Sequence, residues 1–141
     1  MERNIIILQE MYKTVSMGML GIDEVKDKLE DKTIKKEFID AKKKYQIYEK
    51  EIVDLLNKYY EEPKEINELI KISNDLYTDM KLMSATDSKI VKMMMQGTNS
   101  DIIKLQEIKN NEPIDDDDIE KLLNELLELF EYQIRAWKKY L

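Results

Sequence analysis

The chain has 141 residues, with 23 lysines and arginines against 30 aspartates and glutamates, a net charge of −7, and neither histidine nor cysteine. It therefore lacks imidazole, the commonest proton shuttle and metal ligand near neutral pH, and thiolate, the readiest covalent nucleophile. Lysines are scattered and arginine occurs only at Arg3 and Arg135, so there is no basic stripe to displace counterions from nucleic acid.

From the N-terminus, the first apolar run, Ile5 to Leu8, is too short for the core of a secretory leader. No stretch approaches the ~20 apolar residues of a membrane helix. With no cysteine to oxidise, a cytoplasmic protein that avoids membranes is expected. The first helix is read from Ile5, Leu8, Tyr12, Val15, Met19, Ile22, Val25 and Leu29, which recur at helical spacing. A polar break follows at Glu30 to Thr33, where Thr33 can cap the next helix. The second helix keeps a 4-3 spacing through Ile34, Phe38, Ala41, Tyr45, Tyr48, Ile52, Leu55 and Tyr59. Pro63 ends it, because proline removes a donor and restricts the residue before it.

The middle of the chain carries an apolar phase through Leu69, Leu76, Met80, Met83, Ile90, Met94, Leu105 and Ile108. One helix over residues 65–110 would be ~70 Å long, against ~40 Å for its neighbours. A break near residues 84–87 is therefore expected, with Thr86 or Asp87 capping a new helix and residues 64–84 forming a short helix or crossover. After Pro113, Asp115 to Asp118 complement the positive end of the last helix, and Asp115 or Asp116 can cap it. That helix repeats 4-3 through Ile119, Leu123, Leu126, Phe130, Gln133, Trp137 and Tyr140. Such seams pack helices at small crossing angles. The expectation is a single all-α domain over residues 1–141, an up-down four-helix bundle. A helical hairpin that completes its core by dimerising is the alternative.

Three segments carry a family resemblance. The run from Tyr12 to Asp23 (YKTVSMGMLGID), the stretch Tyr45 to Glu65, and the run from Asp87 to Thr98 (DSKIVKMMMQGT) cover much of the helical chain. Together they resemble small ferritin-like four-helix-bundle proteins of clostridia and related Firmicutes. The resemblance implies a ferritin-like fold in a family without an established activity.

A ferritin-like outline raises the question of metal. The usual di-iron site needs Glu-x-x-His on two helices, which a chain without histidine cannot supply. Oxygen ligands alone suit magnesium, manganese or calcium, and Asp87 and Asp101 on the third helix are the candidate acids. The simpler reading is that Asp87 sits at a helix start and Asp101 pairs with Lys104 or faces water. In the last helix Glu125, Glu128 and Glu131 point ~100° or more away from the seam, and Glu10 lies nearly opposite the Leu8–Tyr12–Val15 face.

Other candidates concern binding. Tyr45 and Tyr48 line the second seam and carry hydroxyls for a ligand or a partner side chain. Gln133 is the clearly polar seam residue of the last helix; it can set register or bond a buried tyrosine hydroxyl. Met93, Met94 and Met95, followed by Gln96 and Gly97, offer an adaptable apolar surface. Gly18, Gly21 and Gly97 permit close approach of a backbone or ligand. No catalytic residue and no cofactor are indicated. The expected role is a binding or protein-interaction module, as a homodimer or with a protein or small apolar ligand. The alternatives are a carboxylate-only metal-binding protein or oxidoreductase, and an adaptor whose acidic faces meet basic partners.

Overall fold

Side-chain oxygens start three of the four helices seen in the computed structural model, which describes residues 2–64 and 85–141. Helix α1 spans Glu2–Val25 and runs into a short 3-10 turn, Lys26–Lys28. Helix α2 spans Lys32–Lys58, α3 spans Asp87–Asn111 and α4 spans Asp117–Trp137, with a last 3-10 turn at Lys138–Tyr140. Among the described residues there is no strand. The cap of α2 is Asp31, which accepts from Thr33 N at 2.8 Å and Ile34 N at 3.1 Å. This corrects the expected cap: the carboxylate satisfies the first free amides two residues earlier, and Thr33 lies inside the helix. Thr86 caps α3 by accepting from Lys89 N at 3.3 Å, so a helix does begin at Asp87. Asp116 caps α4 through Asp118 N and Ile119 N. The short helix or crossover expected over residues 64–84 lies outside the described residues, save for Lys64.

Contacts at the helix ends fix the order of directions. Arg3 at the start of α1 donates to the carbonyls of Ile108 and Glu112, closing the C-terminal end of α3. At the same end, Tyr59 after α2 accepts from Asn4 at 3.0 Å and donates to Asp116 before α4 at 2.6 Å. Gln9 straps the turn after α2, accepting from Lys64 N and donating to Glu62 O. At the opposite end, Asp87 accepts from the amides of Glu30 and Asp31 at 2.9 and 2.8 Å, and Tyr140 donates to Glu37 at 2.8 Å. The order is therefore up, down, down, up. Strict alternation would have set α3 antiparallel to α2. Instead tight turns pair α1 with α2 and α3 with α4, and α2 ends at the opposite end of the bundle from where α3 begins.

The close pairs are α1 with α2 and α3 with α4, followed by α1 with α3. Large side chains separate α2 from α4. Phe38 meets Trp137 at 4.8 Å between ring centroids, and Tyr45 meets Phe130 edge-on at 5.9 Å. On α4 the expected seam from Ile119 to Trp137 is buried throughout. On α1 most of the expected seam is buried, Leu8, Val15, Ile22 and Val25 with Leu29 beyond the helix, but Met11 is buried as well, whereas Tyr12 and Met19 are only half-buried. The cause is that Met11 and Gly18, rather than their C-terminal neighbours, face the partner helices. Among the described residues, no helix is long and apolar enough to cross a membrane.

Candidate functional site: the seam between α2 and α4

Two rows of side chains face each other across the α2–α4 seam, one buried and one open. In the buried row Tyr45 reaches across the bundle from α2. Its ring covers Gly18 of α1 so closely that a Cβ there would stand 2.8 Å from Tyr45 Cε2. Its hydroxyl donates to Gln133 Oε1 on α4, with both residues buried. Burial pushes the Tyr45 hydroxyl well above its ordinary range; the bond to Gln133 pulls the other way, and the charge of Asp101 on α3 adds to the rise. Tyr45, Asp101 and Gln133 thus bring polar side chains of three helices toward one another, beside Gly18 of the fourth. Asp101 is raised to about 7 by desolvation, partly offset by the charge of Lys104, whose ammonium stands 2.5 Å from Glu10 of α1.

The open row forms a groove of about 490 Å³. Ile47 and Tyr48 of α2 face Leu129 and Tyr132 of α4 along its floor. Ile47 is 60% exposed and Tyr132 55% exposed, high values for large apolar and aromatic side chains. Glu51, Glu125 and Glu128 line the walls with Lys44, which lies over the Tyr132 ring at 5.5 Å. The Tyr48 hydroxyl registers that charge: burial raises it, and Glu125, Glu51 and Glu128 raise it further. A second groove of about 360 Å³ continues the seam toward Lys58 and Asp118, sharing Glu51 and Glu125.

At the other end of the seam lies a smaller pocket of about 150 Å³, lined by Glu37, Asp40, Ala41 and Lys44 of α2 and by Tyr132, Gln133, Ala136 and Trp137 of α4. Two residues of its lining each hold one polar atom that is buried without a hydrogen-bond partner, Glu37 Oε2 and Gln133 Nε2. The facing alanines, Ala41 and Ala136, leave the space.

The residues singled out from sequence thus fall in three places. Tyr45 and Gln133 are bonded to each other in the core. Tyr48 lies in the open groove. Met93 to Met95, Gln96 and Gly97 sit on α3, which is diagonal to α2: Met94 is buried and would touch a Cβ on Gly21 at 3.5 Å, while Gln96 and Gly97 are exposed. They do not share a surface with Tyr45 and Tyr48. Asp87 and Asp101 do not share a site either, since fourteen helical residues separate them by ~21 Å. Asp87 instead ties the α1–α2 turn to α3. Among the described residues no three acidic groups are placed to hold a metal ion. Sequence reasoning missed Glu37, whose position next to the seam residue Phe38 made it a solvent-side acid. The signal that could have found it was the pair of facing alanines.

Among the described residues the fold is all-helical, four helices with a buried tyrosine–glutamine bond in the core and an open acidic seam. No family model, curated protein or solved structure matches the chain.

Proposed function

We propose that this chain is a helical binding module, and that the groove between α2 and α4 docks a basic amphipathic helix of a partner protein. The observation that carries the reading is the pairing of exposed Ile47 and Tyr132 with Glu51, Glu125 and Glu128 in one groove. An amphipathic helix lays its apolar face into such a groove, and acidic walls favour lysine or arginine at its flanks while rejecting acidic competitors. A second copy of the chain is a poorer occupant, because a symmetric contact would set these glutamates against their own copies.

The up-down-down-up order supports a ferritin-like arrangement, which uses one long crossover where simple bundles use none. A bundle of this order without histidine uses its scaffold for docking rather than for di-iron chemistry. A cytoplasmic setting accords with the absence of cysteine.

The test is calorimetric titration with a synthetic leucine–lysine amphipathic helix, alongside the same peptide with glutamate in place of lysine. The lysine peptide should bind, more weakly as salt rises, and Glu125→Lys with Glu128→Lys should abolish the preference. Equal binding of both peptides, or none of either, would overturn the reading. Sedimentation should give the monomer mass for the free protein.

A further inference from the structure

We infer that the pocket of about 150 Å³ at the far end of the α2–α4 seam is a binding site for a small primary ammonium compound carrying a hydroxyl or carbonyl oxygen. This site adjoins the helix-docking groove, with Lys44 and Tyr132 lining both, but it is built on Glu37 and Gln133, which the groove does not include. The argument begins with hydrogen bonds left unmade. Gln133 is 3% exposed and its Oε1 is taken by Tyr45, which leaves the Nε2 donor buried and unpartnered. Glu37 accepts from Tyr140 on Oε1, which leaves the Oε2 acceptor buried and unpartnered. Unsatisfied buried polar atoms cost free energy and are rare. Here two of opposite character belong to residues that line one pocket.

Their chemistry defines the occupant. Glu37 Oε2 needs a donor, and a carboxylate bonds most strongly to a charged N–H. Gln133 Nε2 needs an acceptor on the same molecule. Trp137, 2% exposed, supplies an aromatic wall that suits an ammonium, and Asp40 adds negative charge to the lining. Two lysines oppose it: Lys139 approaches Glu37 Oε1 only to 3.9 Å, and Lys44 is held over Tyr132. Neither reaches the free Oε2. The volume admits about six non-hydrogen atoms, judged by an apolar cavity of the same size that holds benzene. An amino alcohol or a small amino amide meets all of these demands.

Trp137 is the single tryptophan of the chain, and it lines this pocket while packing against Phe38, so its fluorescence reports on this end of the seam. Titration with ethanolamine should give a saturable change with a millimolar Kd, the range expected for so few atoms. Propylamine, which lacks the oxygen, and propanol, which lacks the ammonium, should each bind at least ~10-fold more weakly, about 1.4 kcal/mol. Glu37→Gln should remove the preference for the ammonium. The side-chain amide resonances of Gln133 in the unaltered protein should shift with the same Kd, which keeps the test independent of how any variant folds. A pocket that holds only water would show no saturable change with ethanolamine, and that result, or equal affinity for all three compounds, would overturn the inference.

Discussion

Tyr45 of α2 donates its hydroxyl to Gln133 of α4, 88 residues away, and both residues are buried. The bond joins the two helices whose backbones lie farther apart than those of the α1–α2 and α3–α4 pairs. It also fixes which end of the Gln133 amide is left free, and Gln133 lines the small pocket. Tyr45→Phe removes the hydroxyl and strands Gln133 Oε1 beside the already unpartnered Nε2. The expected loss is about 1–3 kcal/mol, the cost of an unsatisfied buried group. Gln133→Leu in the Tyr45→Phe background should recover part of it, because both ends are then apolar. Urea denaturation of the four proteins of this cycle measures the coupling; additive single effects would show that the bond contributes nothing.

Gly18 and Gly97 should respond to alanine in opposite directions. A Cβ at Gly18 meets Tyr45 Cε2 at 2.8 Å and Cδ2 at 3.2 Å. That ring cannot withdraw, since Phe130 packs against it and its hydroxyl is tied. Gly18→Ala should therefore cost about 1–3 kcal/mol through overpacking, more than the helix propensity it gains. At Gly97 a Cβ meets nothing within 4 Å. Gly97→Ala should stabilise α3 by up to about 1 kcal/mol. Thermal melts of the two variants give opposite shifts.

Tyr60 ends α2 in the left-handed region, with φ of 58° and 97% exposure. Tyr60 N donates to Asn57 O and Glu61 N to Leu56 O, the pair of bonds that closes a helix through a left-handed residue. A side chain in that conformation costs about 1 kcal/mol or more, and the exposed ring returns little packing. Tyr60→Gly should raise stability by about 1 kcal/mol, whereas Tyr60→Ala, which keeps the Cβ, should not. Equal shifts for the two would place the effect in the lost ring.

How far these features could be read in advance depended on their range. The α4 seam was legible because its 4-3 pattern holds only one solution, and Gln133 stood out within it as a polar residue at a buried position. The caps Thr86 and Asp116 were legible because capping is local. The α1 seam was misplaced where both candidates are apolar, Met11 against Tyr12, or where one is glycine, Gly18 against Met19. Periodicity cannot rank such neighbours; a ring from another helix decides. Helix direction was not legible either, since Asp87 clamping Glu30 and Asp31 is a contact 57 residues long. Glu37 became a pocket residue only because Ala41 and Ala136 face each other across two helices.

Asp87 should act as a tie between hairpins. Its two oxygens accept from Glu30 N and Asp31 N at 2.9 and 2.8 Å. Asp87→Ala loses both bonds, and a loss of about 1–2 kcal/mol is expected for hydrogen bonds at a solvated site; Asp87→Asn keeps one acceptor and should lose less. Hydrogen exchange separates this from a general loosening. The Glu30 and Asp31 amides should exchange faster in Asp87→Ala, while those of Thr33 and Ile34, held by Asp31 itself, should change little. Uniform acceleration across α2 would contradict the tie.

Asp101 should give the protein a pH dependence of unusual sign for a carboxylate. Its ordinary value of 3.8 is raised to about 7, chiefly by desolvation, with the charge of Lys104 opposing. Between those values the folded state holds a proton that the unfolded state has released. Stability therefore falls as pH rises from about 4 through 7 and levels off above, by proton linkage. Asp23 and Asp116 act elsewhere on the scale. Burial raises Asp23, but its bonds to Lys42 and Lys26 win and lower it; the bond from Tyr59 lowers Asp116. Their contributions are complete above 3.8 and are lost only as pH falls below it. Asp101→Asn keeps the shape and removes the titration. It should be more stable than the unaltered chain at pH 8, with the gap closing as pH falls toward 4. Urea denaturation at a series of pH values measures that gap, and a gap independent of pH would show that Asp101 is not held protonated by its surroundings.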